Sequence, residues 1–241
     1  MMSRIALSLT LAITASPTTF ASEEYGIVGG SLTVGESVFS TKDSAQVGVT
    51  PNLFYSGPIG FVDGSLANWQ VLPYVGLSGQ WRFAEVSDTF TDLPNGIEDR
   101  DGSGELGLTL GTVGARVTFL HDVTSEHKGY EIQLHLGRTL DTWDSAFTLT
   151  PYFEVDYRDE KLSNHLYGIS AAESTASGLA VFDADGTFVY EAGVIGLYEF
   201  SPHWIGISKA EFIHHDTDSP LVQRDVGWSL EVGLTYRFAG L

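Results

Sequence analysis

Val226-Gly227-Trp228-Ser229-Leu230-Glu231-Val232-Gly233-Leu234-Thr235-Tyr236-Arg237-Phe238 alternates without a fault. One parity is Val226, Trp228, Leu230, Val232, Leu234, Tyr236 and Phe238; the other is Gly227, Ser229, Glu231, Gly233, Thr235 and Arg237. A β-strand throws successive side chains to opposite faces, so this segment has one apolar and one polar face. The period recurs upstream. Tyr130, Ile132, Leu134 and Leu136 alternate with Glu131, Gln133 and His135, and Leu106, Leu108 and Leu110 with Glu105, Gly107 and Thr109. Phe147, Leu149, Phe153, Val155 and Tyr157 alternate with Thr148, Thr150, Glu154 and Asp156. A helical period fits none of these segments, so the fold class is all-β.

Alternation alone leaves the inner face open. A soluble barrel buries the apolar parity, whereas an outer-membrane barrel turns it to lipid. Four features choose the membrane. The polar parity carries both signs, Arg82, Arg116, Lys209 and Arg237 with Glu105, Glu131, Glu154, Glu211 and Glu231, suited to pairing across a wet lumen. Aromatics gather at strand ends, as Tyr198, Phe200 and Trp204 do around Ser201-Pro202, where rings with polar tips suit the membrane interface. Connections alternate in length. Ser56-Gly57, Leu72-Pro73, Gly111-Thr112, Leu140–Asp144 and Ser201-Pro202 are tight, as periplasmic turns are. Gly35–Asp43, Ser87–Gly102, Val123–Lys128, Arg158–Gly186 and His215–Asp225 are longer and mostly polar, as external loops are. Lastly, an aromatic strand stands almost at the C-terminus. The expected architecture is a transmembrane antiparallel up-and-down β-barrel of about 12 strands. They begin near Tyr25, Ala45, Pro58, Leu66, Tyr74, Ser103, Val113, Gly129, Ser145, Thr187, His203 and Val226. The third and fourth are short and poorly patterned, which makes about ten strands the fallback.

Residues 1–21 stand apart. Arg4, the apolar stretch Ile5–Ala15 and the small residues of Thr19-Phe20-Ala21 have the form of a cleavable signal peptide, leaving the barrel to residues 22–241. Nothing downstream approaches the roughly 20 apolar residues of a helical span. The expected location is the outer membrane of a Gram-negative cell. The chain has no cysteine, which excludes disulfides and thiol chemistry. With 12 basic against 31 acidic residues, a net charge of −19, it lacks the basic footprint of a nucleic-acid binder.

The inward charges admit two readings, a self-neutralising network filling a narrow barrel or the lining of a small-solute pore. Ile195 and Leu197 share the inward parity with Ile205 and Ile207 of the next strand, either side of Ser201-Pro202. An apolar constriction there would resist wetting. Glu98-Asp99-Arg100-Asp101-Gly102-Ser103-Gly104-Glu105 looks like a calcium loop. With Gly102 at the central glycine of an EF-hand, however, the end ligands would be Ile97 and Leu108, which cannot coordinate. Asp183-x-Asp185-Gly186 fails in the same way. Both read as solvated acidic turns, with a loose divalent-cation site shared with lipopolysaccharide as the alternative. His214, His215 and Ser219 suggest a hydrolase, yet adjacent strand histidines face opposite ways and no third orienting group is evident. No enzymatic activity, cofactor or metal is expected.

Four stretches recur as a set: Leu93-Pro94-Asn95-Gly96-Ile97-Glu98; Tyr167-Gly168-Ile169-Ser170-Ala171-Ala172-Glu173-Ser174 with Ser177-Gly178; Asp216-x-Asp218-Ser219-Pro220-Leu221-Val222; and the closing Gly233–Phe238. In order and spacing they resemble the MltA-interacting protein (MipA/OmpV) family of outer-membrane proteins, over most of the chain and least around Ser37–Ser44. The resemblance implies an outer-membrane barrel set among lipid and lipopolysaccharide. For one namesake it implies a scaffold linking a lytic transglycosylase to a peptidoglycan synthase, and for others a surface antigen or adhesin. A periplasmic partner needs a surface, and the Leu140–Asp144 turn offers Trp143 between acids. That tryptophan reads either as an interface anchor or as a partner contact. The expected function is a non-enzymatic envelope interaction protein; a narrow small-solute pore and an adhesin are the alternatives.

Overall fold

A computed structural model describes residues 24–42, 45–88 and 91–240, so the expected signal segment lies outside the described residues. Among the described residues one antiparallel sheet closes on itself through twelve strands. They are β1 Tyr25–Glu36, β2 Gln46–Gly57, β3 Gly60–Asp63, β4 Leu66–Leu72, β5 Val75–Arg82 and β6 Ser103–Thr112. Then come β7 Ala115–Asp122, β8 Tyr130–Gly137 with its continuation Leu140–Asp141, β9 Phe147–Arg158, β10 Thr187–Glu199, β11 Trp204–Asp216 and β12 Gly227–Ala239. Both pieces of β8 pair with β9. Each strand pairs with the next, and β12 returns to β1 from Glu36↔Trp228 to Gly26↔Ala239. The count is the expected twelve, and every strand starts within two residues of its expected position.

The register settles which face is inside. Lys209 lies opposite Glu231, and Glu231 opposite Thr33, so the polar parity of neighbouring strands shares the lumen. The other parity faces out, and Val232 is 68% exposed. A soluble barrel would bury that face; here it forms the belt presented to hydrocarbon. With an even number of strands both chain ends lie on one side, the side of the tight turns, which is therefore periplasmic.

Two features depart from the sequence reading. The first is the β3–β4 hairpin, whose outward-side turn at Gly64-Ser65 is tight and breaks the short-long alternation. Gly64 has φ +60°, a backbone that favours glycine. With only four residues in β3, the hairpin rises no higher than Phe54 on β2 and Gln80 on β5. Its inward Phe61 and Leu66 pack on Leu120 of β7, beside Val113, and fill that side of the lumen. The second departure is in the outer loops. They are not solvated polar segments, because they hold a buried apolar cluster and two short helices, α1 Glu160–Tyr167 and α2 Ala171–Ser177.

The facing makes a direct prediction. Leu134→Arg, mid-strand on the lipid face, should destabilise the barrel by about 2–4 kcal/mol. Thr150→Arg places the same charge in the lumen, in the cavity that Glu154 also lines, and should leave stability unchanged. Urea unfolding from phosphatidylcholine bilayers measures both; equal losses would mean that the facing is inverted.

Candidate functional site

In the outer half of the lumen, the inward parity of β5, β6, β8 and β9 converges on Glu131, whose side chain is 1% exposed. One of its oxygens lies 2.9 Å from Arg82 Nη2, and the other accepts from Arg158 Nε at 2.9 Å. Arg82 Nε also donates to Glu105 Oε1 at 2.9 Å. Both guanidiniums reach Glu85 in the 83–102 loop, Arg82 Nη1 at 3.0 Å and Arg158 Nη2 at 2.9 Å. Arginine suits this task, because its planar fork serves several carboxylates at once and never deprotonates. His127 Nε2 lies 3.2 Å from Glu105 Oε1 and closes the layer. Burial pushes the Glu85 carboxyl up, but Arg158 and Arg82 outweigh that and hold it at about 2. Arg158 Nη1 donates to the Tyr167 hydroxyl at 2.6 Å, which leaves that proton for His215 Nδ1, 2.9 Å away. Burial raises the Tyr167 phenol, so it remains a donor.

Over this layer sits the cap. Val38 and Phe39 from the first loop, Val86, Leu93 and Ile97 from the 83–102 loop, Leu162 and Leu166 from α1, and Leu221 before β12 are all buried together. Asp159 starts α1 by accepting from Leu162 N at 3.0 Å, and Leu162 and Leu166, one turn apart, face the cluster. Ser170 and Glu173 form a reciprocal capping box that starts α2. Arg100 Nη2 binds Glu173 Oε1 at 2.7 Å and donates to Gly168 O at 3.0 Å. Burial pushes Glu173 up, while hydrogen bonds from Ser170 and Arg100 hold it at about 2. Ser219 Oγ donates to Tyr167 O at 2.6 Å. Gly96, with φ +87°, lies where a Cβ would meet the Ala176 backbone at 2.7 Å. Three sequence stretches that stand far apart, around 93–98, 167–178 and 216–222, thus meet in one place.

This arrangement revises several candidate readings. Asp99 is exposed, as a turn residue is, and its carboxylate accepts from Ser87 Oγ at 3.0 Å and from Asp88 N at 2.8 Å. His215 and Ser219 each bind Tyr167, at its two ends, and His214 Nδ1 lies 2.5 Å from Asp225 O. Among the described residues, no group of three or more acids and histidines is set to hold a metal ion. Arg158 and Glu85 complete the layer that the sequence marks only through Arg82, Glu105 and Glu131. Arg158 was legible, because it continues the parity of Glu154 and Asp156; Glu85 lies in a loop, where no period operates.

Below the layer a cavity of about 780 Å³ runs down to the periplasmic rim at Tyr25, Thr139 and Glu199. Glu154 binds His135 at 2.7 Å, Lys209 binds Glu211 at 2.6 Å, Arg116 binds Asp63 at 2.8 Å, and Arg237 pairs with Glu199. Ile195, Leu197 and Ile207 line one wall of this cavity, and Ile205 is fully buried beside them. Phe61, Leu66 and Leu120 form a separate apolar cluster on another side of the lumen. Trp143 stands on the periplasmic side, 95% exposed.

A sequence model of the family described as MltA-interacting protein MipA matches residues 28–238. YiaT, a protein of Escherichia coli (strain K12) named for the outer membrane, is 28% identical over 67% of this chain and 69% of its own length. The MltA-interacting protein of the same strain is 28% identical over 46% of this chain and 51% of its own, so the chain spans about half of that relative. Among solved structures, Neisserial surface protein A aligns over 89% of this chain and 97% of its own, with 9% identity and a TM-score of 0.31. That likeness is too low to add to the architecture described above.

Two outcomes follow from the layer and the cap. Glu131→Gln leaves two buried guanidiniums without one of the two carboxylates that they share and should cost about 3–5 kcal/mol in urea unfolding, whereas Glu126→Gln, at an exposed position, should cost nothing measurable. In acid, Glu85 and Glu173 have folded-state values below their ordinary 4.5, so their stabilisation is complete above 4.5 and lost as the pH falls toward about 2. Hydrogen exchange in 159–186, corrected for intrinsic rate, should stay slow down to pH 4.5 and quicken below it. Loss of protection already near pH 6 would contradict this assignment.

Proposed function

This chain belongs to the MltA-interacting protein MipA family of outer-membrane barrels, and from that premise we propose that it is a non-enzymatic envelope protein that binds a cell-wall lytic transglycosylase from the periplasmic side. One observation carries the reading: along the barrel axis the lumen is covered on its outer side by the layer and the cap, and it is open toward the periplasm. A pore for solutes needs a continuous wet path along the axis, and here the buried arginine–glutamate layer and the apolar cluster above it lie across the axial path. The surface that remains open to a cell-wall enzyme is the periplasmic rim. There the turn after β8 holds Trp143 almost fully exposed between Asp141 and Asp144. Large aromatics are enriched among the residues that dominate protein interfaces. MltA, which gives the family its name, is by the family resemblance the lytic transglycosylase of such a pair. The same geometry has His215 and Ser219 bonded to opposite ends of Tyr167 rather than to each other.

Co-purification of the barrel with a lytic transglycosylase tests the reading. Trp143→Ala should weaken it by about 2 kcal/mol, roughly thirtyfold in affinity, and leave the gel shift between unboiled and boiled barrel intact. Replacing residues 160–186 with a short linker should leave co-purification unaffected. A silent Trp143→Ala with a required 160–186 segment would move recognition to the outer surface. Steady conductance of the purified barrel in planar bilayers would favour the pore instead.

A further inference from the structure

The short β3–β4 hairpin leaves part of the barrel wall unbuilt. β2 pairs with β1 from Gln46 to Ser56, but with β3 only from Phe54 to Gly57. On the other bank β4 reaches no higher than Leu66, opposite Gln80, while β5 continues to Arg82. The outer half of β2 therefore has a strand on one side only. Gly64 N donates to Leu53 O at 3.0 Å, so the odd-numbered residues of β2 aim their backbone groups into the gap. Pro51 is one of these and brings no N–H, as befits an open edge. The turn Gly64-Ser65 forms the sill. Lys42 Nζ and Gln46 Nε2, both bonded to Asp92 at 2.6 and 2.9 Å, form the lintel. A Cβ added to Gly48 or to Gly64 would meet nothing within 4 Å. A second cavity of about 370 Å³ is lined by the lumen-facing Thr50 and by the lipid-facing Val47 and Val49, so it passes round the free edge. The larger cavity reaches the same gap at Pro51, Leu53 and Gly64.

That larger cavity also holds a surplus of negative charge. Glu154, Glu191, Glu211 and Glu231 project into it from four consecutive strands, and Glu154 lies directly opposite Glu191. Facing like charges repel. Lys209 and His135 are already engaged, by Glu211 and Glu154. Glu231 is 7% exposed, and its Oε1 is buried without a hydrogen-bond partner. Glu191 makes no hydrogen bond or salt bridge among the described residues. A buried carboxylate left unpaired is strongly unfavourable, and the charge of a cation bound in the cavity would offset it.

We propose that the cavity binds an organic ammonium ion carrying an apolar tail, its head between Glu191 and Glu231 and its tail leaving for the outer leaflet through the gap between β2 and β5. The carboxylates select the charge. The gap, rimmed on the lipid side by Val47, Val49 and Leu53, lets a molecule already dissolved in the membrane enter sideways. This site is independent of the periplasmic partner.

The barrel in phosphatidylcholine nanodiscs, titrated calorimetrically with dodecyltrimethylammonium, should show saturable binding at one site. Dodecyl sulfate of the same length should show none beyond that of empty discs. Glu191→Gln with Glu231→Gln should weaken the ammonium binding at least about tenfold with the gel shift intact. In stopped-flow mixing, Gly48→Trp, whose ring has open space to fill, should slow uptake of the long-tailed ammonium about tenfold. Tetramethylammonium, which has no tail and enters from the periplasmic rim, should bind that variant as it binds the parent. Equal binding of dodecyl sulfate, or undiminished binding by the double variant, would overturn the site. The sulfate comparison uses the unaltered barrel and so does not depend on a variant folding. Uptake indifferent to Gly48→Trp would overturn the lateral route.

Discussion

A backbone amide inside hydrocarbon has no water to turn to, and the rest of this molecule follows from that constraint. Every N–H and C=O within the membrane must find a partner on a neighbouring strand, so the sheet has to close. Closure happens where β12 meets β1, and the two strands approach tightly there: a Cβ on Gly29 would lie 2.2 Å from Leu234 O. Once the ring is shut, each strand can show only one parity to lipid. The charged parity is confined to the lumen, where most of the bases are paired with acids. The departure at the outer half of β2 is informative for the same reason, because an unpaired edge is tolerable only beside a polar cavity.

Arg158 shows how the lumen and the cap are joined. It is the last residue of β9, and its one guanidinium touches Glu131 in the wall, Glu85 in a loop and the Tyr167 hydroxyl in α1. Such a buried group adds little net stability over an apolar substitute, because desolvating the charges offsets most of their attraction. What it does supply is geometry. A loop that cannot present Glu85, or a helix that cannot present Tyr167, leaves a buried charge unanswered, so the cap is held in one arrangement rather than in a family of loose ones.

The wall of this barrel is legible in its sequence and the cap is not. Strands of eight to thirteen residues such as β6, β8 and β12 repeat a two-residue period long enough to be read without context. The same period turns Arg82, Glu105, Glu131 and Glu154 inward. The apolar cluster of the cap is drawn from four separated loops, each giving a few residues with no period of its own. Its cohesion exists only once the barrel has brought those loops to one rim. Two local signals were available nonetheless. Asp159 ahead of Leu162 and Leu166, and Ser170 three residues before Glu173, both carry the grammar of a helix start. Leu120 was a third, an apolar residue on the polar parity between Thr118 and Asp122, and it marks where the lumen is filled rather than wet.

The cap also crosses the line where the ring closes. Gln223 N donates to Val38 O at 2.8 Å, and Trp228 Nε1 to Glu36 Oε2 at 3.1 Å, so the loop entering β12 is fastened to the end of β1. A cylinder built from successive hairpins has one joint made by its two ends, the last to form and the natural place to part. Here that joint is covered by a clasp that must be undone before the ends can separate. The consequence is one of lifetime rather than of equilibrium: such contacts, made after the ring has shut, slow unfolding while leaving the rate of assembly untouched.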